Sequence, residues 1–312
     1  MITAHSLTKR YGAATAVDHL TFEVPPGMVT GFLGPNGSGK STTMRMIMGL
    51  DVPDSGSALI DGKAYDQLTW PLREVGALLE AKALHPARSA RNHLRWLALT
   101  NDIPLRRVDE VIDQVGLSSV ANRRAGKFSL GMSQRLGIAV ALLGDPGVLL
   151  FDEPVNGLDP EGIRWVRNFL RGLAADGRTV LVSSHLISEM SLTADRLVVI
   201  GRGRLIAETS VEDFVARSGG GAVKLVTPDR AEFAMALGSA GARVGDGDGE
   251  SLTVEGMTSS EIGDLAFREG IRIHELTPIM ASLEDAFMEL TQDEVEFRPS
   301  TMADAAGVGE KE

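Results

Sequence analysis

Apolar runs that skip no position punctuate the first two hundred residues, and stretches of helical period separate them. EVGALLE (74–80), VLLFDE (148–153) and RTVLVSS carry Val, Leu and Ile continuously rather than on alternate positions. A strand of that kind is buried on both faces, as in a parallel sheet covered by helices. LTFEV and MVTGFL add β-rich runs bounded by Pro-Pro-Gly and by Gly34, and SALIDG reads as another strand. The helical period predicts a helix from about 39 to 48, three segments near 89–100, 105–116 and 130–143, and a further helix at about 160–175. RLVVIGRGRLIAE then reads as a hairpin, followed by a helix at 211–217. The expected fold class is α/β with a mostly parallel sheet.

Ser218-Gly-Gly-Gly221 interrupts this pattern and reads as a linker over 218–221. Beyond it come AVKLVT, a helix, the turn-rich GDGDGE, SLTVEG, a helix at 258–268, IRIHELT and a helix at 282–291. The order β-α-β-β-α-β-α predicts a small α+β C-terminal domain over 222–291. Residues 292–312 are polar and acidic with little periodicity, which predicts a disordered tail. The first domain is expected over 1–217, with its helical part at about 85–145.

Composition narrows the function. The chain has 312 residues, 43% of them hydrophobic, with a formal net charge of −11. Without a dense basic stripe, that balance disfavours a nucleic-acid partner. The absence of cysteine excludes disulfides, thiolate metal sites and Cys nucleophiles. No segment has the layout of a signal peptide, and the best apolar window, IAVALLGDPGVLLF, is broken by Asp145-Pro146. A cytoplasmic protein with no lipid-spanning segment of its own is expected.

The strongest chemical signal is GPNGSGKS, from Gly34 through Pro35, Asn36, Gly37, Ser38, Gly39 and Lys40 to Ser41. It follows a strand and opens a helix, and it fits G-x-x-x-x-G-K-[ST], the phosphate-binding P-loop. The glycines let backbone N–H groups turn around phosphate oxygens. Lys40 is a point charge for β- and γ-phosphates, and the Ser41 hydroxyl suits Mg²⁺. VLLFDEP ends a buried strand in two acids. Asp152 suits a direct or water-mediated Mg²⁺ ligand. Glu153 turns to the other face and suits polarisation of the water that attacks a γ-phosphate. A second signal is SLGMSQRLGIAVALLG, a helix with Ser129 as N-cap and no acid in its first turn, although a helix N-terminus normally attracts one. Such a bare terminus is an anion site.

In this order the motifs resemble the ATP-binding subunit of an ABC transporter, over residues 1 to about 217. The resemblance implies a P-loop NTPase core, a helical signature subdomain, and ATP and Mg²⁺ as ligands. SLGMSQ stands where that family carries its LSGGQ signature: Ser129 and Gly131 match, while Phe128, Leu130 and Met132 depart. The anion awaited by the bare helix is then the γ-phosphate of an ATP held by a second subunit. Tyr11 resembles the aromatic that stacks on adenine, Thr42 extends the P-loop, and Asp159 in NGLDP resembles the D-loop acid that reaches the other subunit. His185 resembles the switch histidine that contacts the γ-phosphate. Glu80 stands where the family usually has Gln, and its carboxylate could still ligate Mg²⁺. The implied partners are a membrane-spanning permease and a second ATPase subunit, in a homodimer or heterodimer, on the inner face of the membrane. The signature form, Glu80 and the closing LTPIMASLEDAFMELT resemble the bacitracin and daunorubicin type of exporter. A soluble ABC ATPase is the alternative, though no heptad coiled coil separates P-loop and signature here.

Overall fold

The computed structural model describes residues 1–80, 83–218 and 222–278. The expected helix at 282–291, the acidic tail and most of the Gly-rich linker lie outside the described residues. The described chain forms two compact units: Met1–His185 with Thr193–Glu208, and Leu186–Leu192 with the residues from Thr209 onward.

The larger unit opens with β1 (Ile2–Tyr11), β2 (Ala14–Val24) and β3 (Val29–Leu33), and α1 (Lys40–Ile47) follows directly from the P-loop. Next come β4 (Ser55–Ile60), the single turn α2 (Pro71–Glu74) and β5 (Val75–Leu78). A helical stretch holds α3 (Ala90–Thr100), α4 (Arg106–Gln114) and α5 (Leu130–Leu142). Then β6 (Val148–Asp152), α6 (Pro160–Ala175), β7 (Thr179–Ser184), β8 (Arg196–Gly201) and β9 (Arg204–Ser210) follow, while α7 (Ile187–Thr193), between β7 and β8 in the chain, falls in the other unit as far as Leu192.

The first sixty residues divide between two sheets, a division the apolar pattern does not show. β2, β1 and β4 form a three-stranded antiparallel sheet, whereas β3 joins a six-stranded sheet in the order β5-β6-β7-β3-β8-β9. The pairings β5–β6, β6–β7, β7–β3 and β3–β8 are all parallel. The difference lies in burial. β3 is buried at all five positions, whereas β2 alternates over its second half because only one face meets the core. Met44, Met46 and Ile47 of α1 enter one core with Ile2, Leu7 and Val17 from the first sheet and Leu150 and Leu181 from the second. Phe22 and Phe32 stack with centroids 5.2 Å apart, joining β2 to β3. Truncating either ring to Ala should cost about 3–5 kcal/mol.

α5 lies against β5 at a distance only glycine permits. A Cβ on Gly76 would fall 1.9 Å from the Ala141 carbonyl oxygen, and one on Gly137 would fall 2.5 Å from Leu78 Cδ1. This contact seats α5 against the parallel sheet.

In the smaller unit, α8 (Val211–Ser218) precedes β10 (Val223–Val226), α9 (Arg230–Ser239), β11 (Arg243–Asp246), β12 (Leu252–Glu255), α10 (Ser259–Glu269) and β13 (Glu275–Pro278). The strands form one antiparallel sheet in the order β11-β12-β10-β13, a ferredoxin-like arrangement. Alternate residues of β10 and β12 pack on Phe233, Leu237, Ile262 and Leu265 of the two helices. IRIHELT is strand only from Glu275, because the backbone before it is drawn off: the Arg272 carbonyl accepts from Thr227 Oγ1 at 2.7 Å.

Gly76→Ala should therefore destabilise by about 1–3 kcal/mol, since the new methyl meets a backbone carbonyl that cannot rotate away. Gly172→Ala, inside α6 with no atom within 4 Å of its Cβ position, should gain up to about 1 kcal/mol from helix propensity. Denaturant midpoints of the two variants check the contrast.

Candidate active site

Gly39 forces the turn between β3 and α1. Its φ is +101°, and a Cβ there would lie 2.4 Å from the Ala16 carbonyl oxygen, so no other residue fits. The turn leaves α1 with no side-chain cap and no acid in its first turn, so its leading N–H groups are free for an anion. Asn36 to Thr42, with Ala16, Glu153, Asn156 and His185, line a cavity of about 500 Å³. Ser38 Oγ is buried beside it without a hydrogen-bond partner.

Lys40 is 6% exposed. Its ammonium donates to the Gly34 carbonyl at 2.7 Å and the Pro35 carbonyl at 3.1 Å, not to a carboxylate. Burial holds its pKa below the ordinary value of 10.5, and the charges of Glu153 and Asp152 oppose that shift. A desolvated cation, an uncapped helix start and an unpaired hydroxyl in one cavity fit a polyphosphate.

The acids stand at the carboxyl end of β6. Asp152 pairs in register with Ser183 of β7, and the Ser183 hydroxyl donates to Asp152 Oδ1. The Ser183 Oγ in turn accepts the Glu153 N–H at 2.9 Å. Glu153 takes φ +48°, the left-handed region, and so leaves the strand direction. Its Oε2 lies 2.8 Å from His185 Nδ1. A carboxylate only accepts, so Nδ1 carries the proton and the ring is fixed in orientation.

Ser41 lines both this cavity and a second of about 550 Å³, which it shares with Asp152 and Glu80. A hydroxyl and one or two carboxylates are hard oxygen donors suited to Mg²⁺. No cluster of three or more His, Cys, Asp or Glu that could hold a metal occurs among the described residues. The set therefore fits a cation whose other ligands are phosphate oxygens and water, which is how Mg²⁺ sits in nucleotide sites.

Of the expected residues, Gly34, Pro35, Tyr11, Ser129, Gly131 and Asp159 line neither cavity. Tyr11 is 51% exposed and donates to Asp51 Oδ2 at 3.0 Å. Burial, and then Asp51, raise its pKa. Ser129 caps α5 by accepting the Met132 N–H at 3.2 Å, and no acid follows it. Asp159 caps α6 by accepting the Gly162 N–H at 2.8 Å. Gly131 and the D-loop stretch touch: its Cβ position lies 3.3 Å from Leu158, and that of Gly157 lies 2.3 Å from Leu130 Cδ2. Leu130, a departure from the family signature, fills the space beside Gly157. Sequence reasoning passed over Asn156 and Ser183. The pair of serines in VLVSSHL was visible, but only the strand register brings one of them to Asp152.

A family model described as "ABC transporter" matches residues 17–156, and one described as a domain of unknown function matches 221–284. An uncharacterized ABC transporter ATP-binding protein of Bacillus subtilis (strain 168), YhcH, is 36% identical over 92% of this chain and 94% of its own length. The chain belongs to the ABC transporter ATP-binding proteins. It is also 40% identical to the bacitracin transport ATP-binding protein BcrA of Bacillus licheniformis, over 70% of this chain and 72% of that protein. Among solved structures, the dimeric ATP-binding cassette MJ0796 with ADP and Pi superposes with a TM-score of 0.62 at 25% identity. That superposition covers 68% of this chain and 99% of the cassette. The protein is thus an ABC-type ATPase that binds nucleotide; its P-loop and Glu153 line one polar cavity, and Ser41 also lines the one that holds Asp152.

Lys40→Met tests the electrostatics of this ABC site. The variant should fold, and the stabilisation that excess nucleotide gives wild type, about 2.7 kcal/mol at a hundredfold over Kd, should vanish. The depressed pKa of Lys40 means the unfolded chain binds more protons between the folded value and 10.5. Nucleotide-free wild type should therefore gain stability relative to the variant as pH rises through that window. Thermal unfolding with and without ATP, at neutral pH and near pH 10, checks both.

Proposed function

We propose that this chain is the ATP-hydrolysing subunit of an ABC exporter for a small molecule, drug or peptide antibiotic, working on the inner face of the membrane through a separate permease. No helix among the described residues is long and apolar enough to cross a membrane; on this reading the permease supplies the path. Likeness to a bacitracin transport protein over 70% of the chain supports export.

The observation that carries the ATPase reading is that Glu153 lines one cavity with the P-loop, while Ser41 of the loop also lines the cavity that holds Asp152. The α1 N–H groups and Lys40 hold the β- and γ-phosphates of the substrate ATP. Ser41 and Asp152, with Glu80 lining the same cavity, would hold Mg²⁺, which would supply charge that neutralises the phosphates. Glu153 orients and deprotonates the water that attacks the γ-phosphorus, as the bond to the ADP oxygen breaks and phosphate leaves. His185, held by Glu153 through Nδ1, lines the cavity on the γ-phosphate side.

Head-to-tail pairing follows from the bare N-terminus of α5. Ser129 to Ser133 line neither cavity of their own chain, so the helix start with Ser129 and Gly131 serves the ATP of a second copy. Asp159 lies beside that interface, and Tyr11 offers a half-exposed ring to the adenine. ATP binding favours the closed pair, and hydrolysis reopens it. The domain limits of 1–217 and 222–291 remain our assignment, with the C-terminal domain supporting or regulating the pair.

Glu153→Gln should lower steady-state hydrolysis by at least about a hundredfold and accumulate an ATP-bound dimer visible by size exclusion. Wild-type turnover in that variant would remove Glu153 from the water. Glu80→Gln should raise the Mg²⁺ concentration needed for half-maximal hydrolysis. An unchanged Mg²⁺ curve would place Glu80 outside the metal's surroundings.

A further inference from the structure

We infer that Ser183 is a positioning residue for this site: its one hydroxyl holds the Asp152 carboxylate directly and aims the Glu153 carboxylate through the backbone. The inference rests on the roles proposed above for Asp152 and Glu153. Ser183 is fully buried, between Val182 and Ser184 at the end of β7. A hydroxyl has one proton to give and two lone pairs to receive with. Here the proton goes to Asp152 Oδ1, and a lone pair takes the Glu153 N–H at 2.9 Å. Both uses depend on the parallel register that sets Asp152 opposite Ser183.

The second bond has the larger consequence. Glu153 is the first residue past β6, and its φ of +48° is a conformation that costs a non-glycine residue about 1–3 kcal/mol. Such a turn persists only where the surroundings hold it. The Ser183 hydroxyl fixes the amide at its start, and His185 fixes the carboxylate at its end with a 2.8 Å contact. The end of β7 thus grips neighbouring acids with residues two apart, one on the cation side and one on the water side. An apolar residue at 183 would leave the Glu153 amide without its acceptor and Asp152 without its donor. An amide stranded in that way drives its backbone toward another conformation. The carboxylate would then leave the cavity that holds the P-loop.

The test compares Ser183→Ala, Ser183→Thr and Glu153→Gln in the purified full-length chain, by hydrolysis rate against ATP and Mg²⁺ and by fluorescent-nucleotide binding. Ser183→Ala should lower kcat about ten- to a hundredfold, the usual cost of losing a group that orients a ligand or catalytic side chain. Its nucleotide affinity should stay within about twofold, because Ser183 does not line the P-loop cavity. Ser183→Thr keeps the hydroxyl and should hydrolyse faster than Ser183→Ala. A kcat for Ser183→Ala within twofold of wild type, alongside a dead Glu153→Gln, would overturn the role of Ser183 alone. So would a Ser183→Thr rate no better than that of Ser183→Ala. Wild-type turnover in Glu153→Gln would instead overturn the reading on which the inference rests.

Discussion

A buried ammonium without a carboxylate partner sets the terms for the rest of this site. Lys40 is removed from water and satisfied by two loop carbonyls, so its charge stays uncompensated and its pKa is held down by burial. That arrangement is unfavourable in isolation. It becomes favourable when an anion enters, and α1 with no acid in its first turn adds a second electropositive element on the same cavity wall. Binding energy for a polyphosphate is thus built in before the ligand arrives. The glycines of the loop serve this constraint, since any Cβ at Gly39 would collide with the backbone at Ala16.

The acids must then approach the cation without collapsing onto it. A Lys40–Glu153 ion pair would fill the phosphate position from within. Other donors engage the acids instead: Ser183 takes Asp152, and His185 takes Glu153. The β6–β7 register makes both contacts possible at once, so the continuous apolar strands are more than core. Their hydrophobic pairing fixes, to the residue, where the polar atoms at the strand ends fall.

Much of this was legible along the chain. GPNGSGKS between an apolar run and a helical period identifies the loop, and VLLFDE declares a buried strand ending in acids, because each motif is contiguous and its chemistry is local. What escaped depends on neighbours distant in sequence. Ser183 lies 31 residues from Asp152 and reads as an ordinary strand-end serine until the register is known. The close seat of α5 on β5 rests on Gly76 and Gly137, which look like unremarkable small residues in apolar runs. The separate sheet of β1, β2 and β4 escaped for a related reason: alternation shows that one face is wet, but not which strands share the sheet. Tyr11 and Asp159 were legible as residue types, yet each is engaged within its own chain, with Asp51 and with the α6 amide.

The departures at the signature acquire a physical sense from the same packing. The first turn of α5 and the D-loop stretch interlock: Leu130 sits over Gly157, and Leu158 sits over Gly131. Further along, the Arg135 guanidinium stacks 3.9 Å from the Trp165 ring of α6 and donates to the Val115 carbonyl at 2.9 Å. Burial lowers the pKa of Arg135, while the charges of Glu161 and Asp159 work against that shift. Replacing a signature glycine with Leu130 thus gives up backbone access at one position and gains a side chain that ties the helix to the loop following Glu153. Asn156, in that loop, lines the P-loop cavity and donates its N–H to the Glu153 carbonyl at 3.2 Å. A change at the water-side acid therefore reaches the signature helix through contacts of one or two residues. Packed cores switch between discrete arrangements and do not bend continuously. On the proposed reading, the residue that senses the γ-phosphate in one copy and the helix that binds it in the other move as parts of one body.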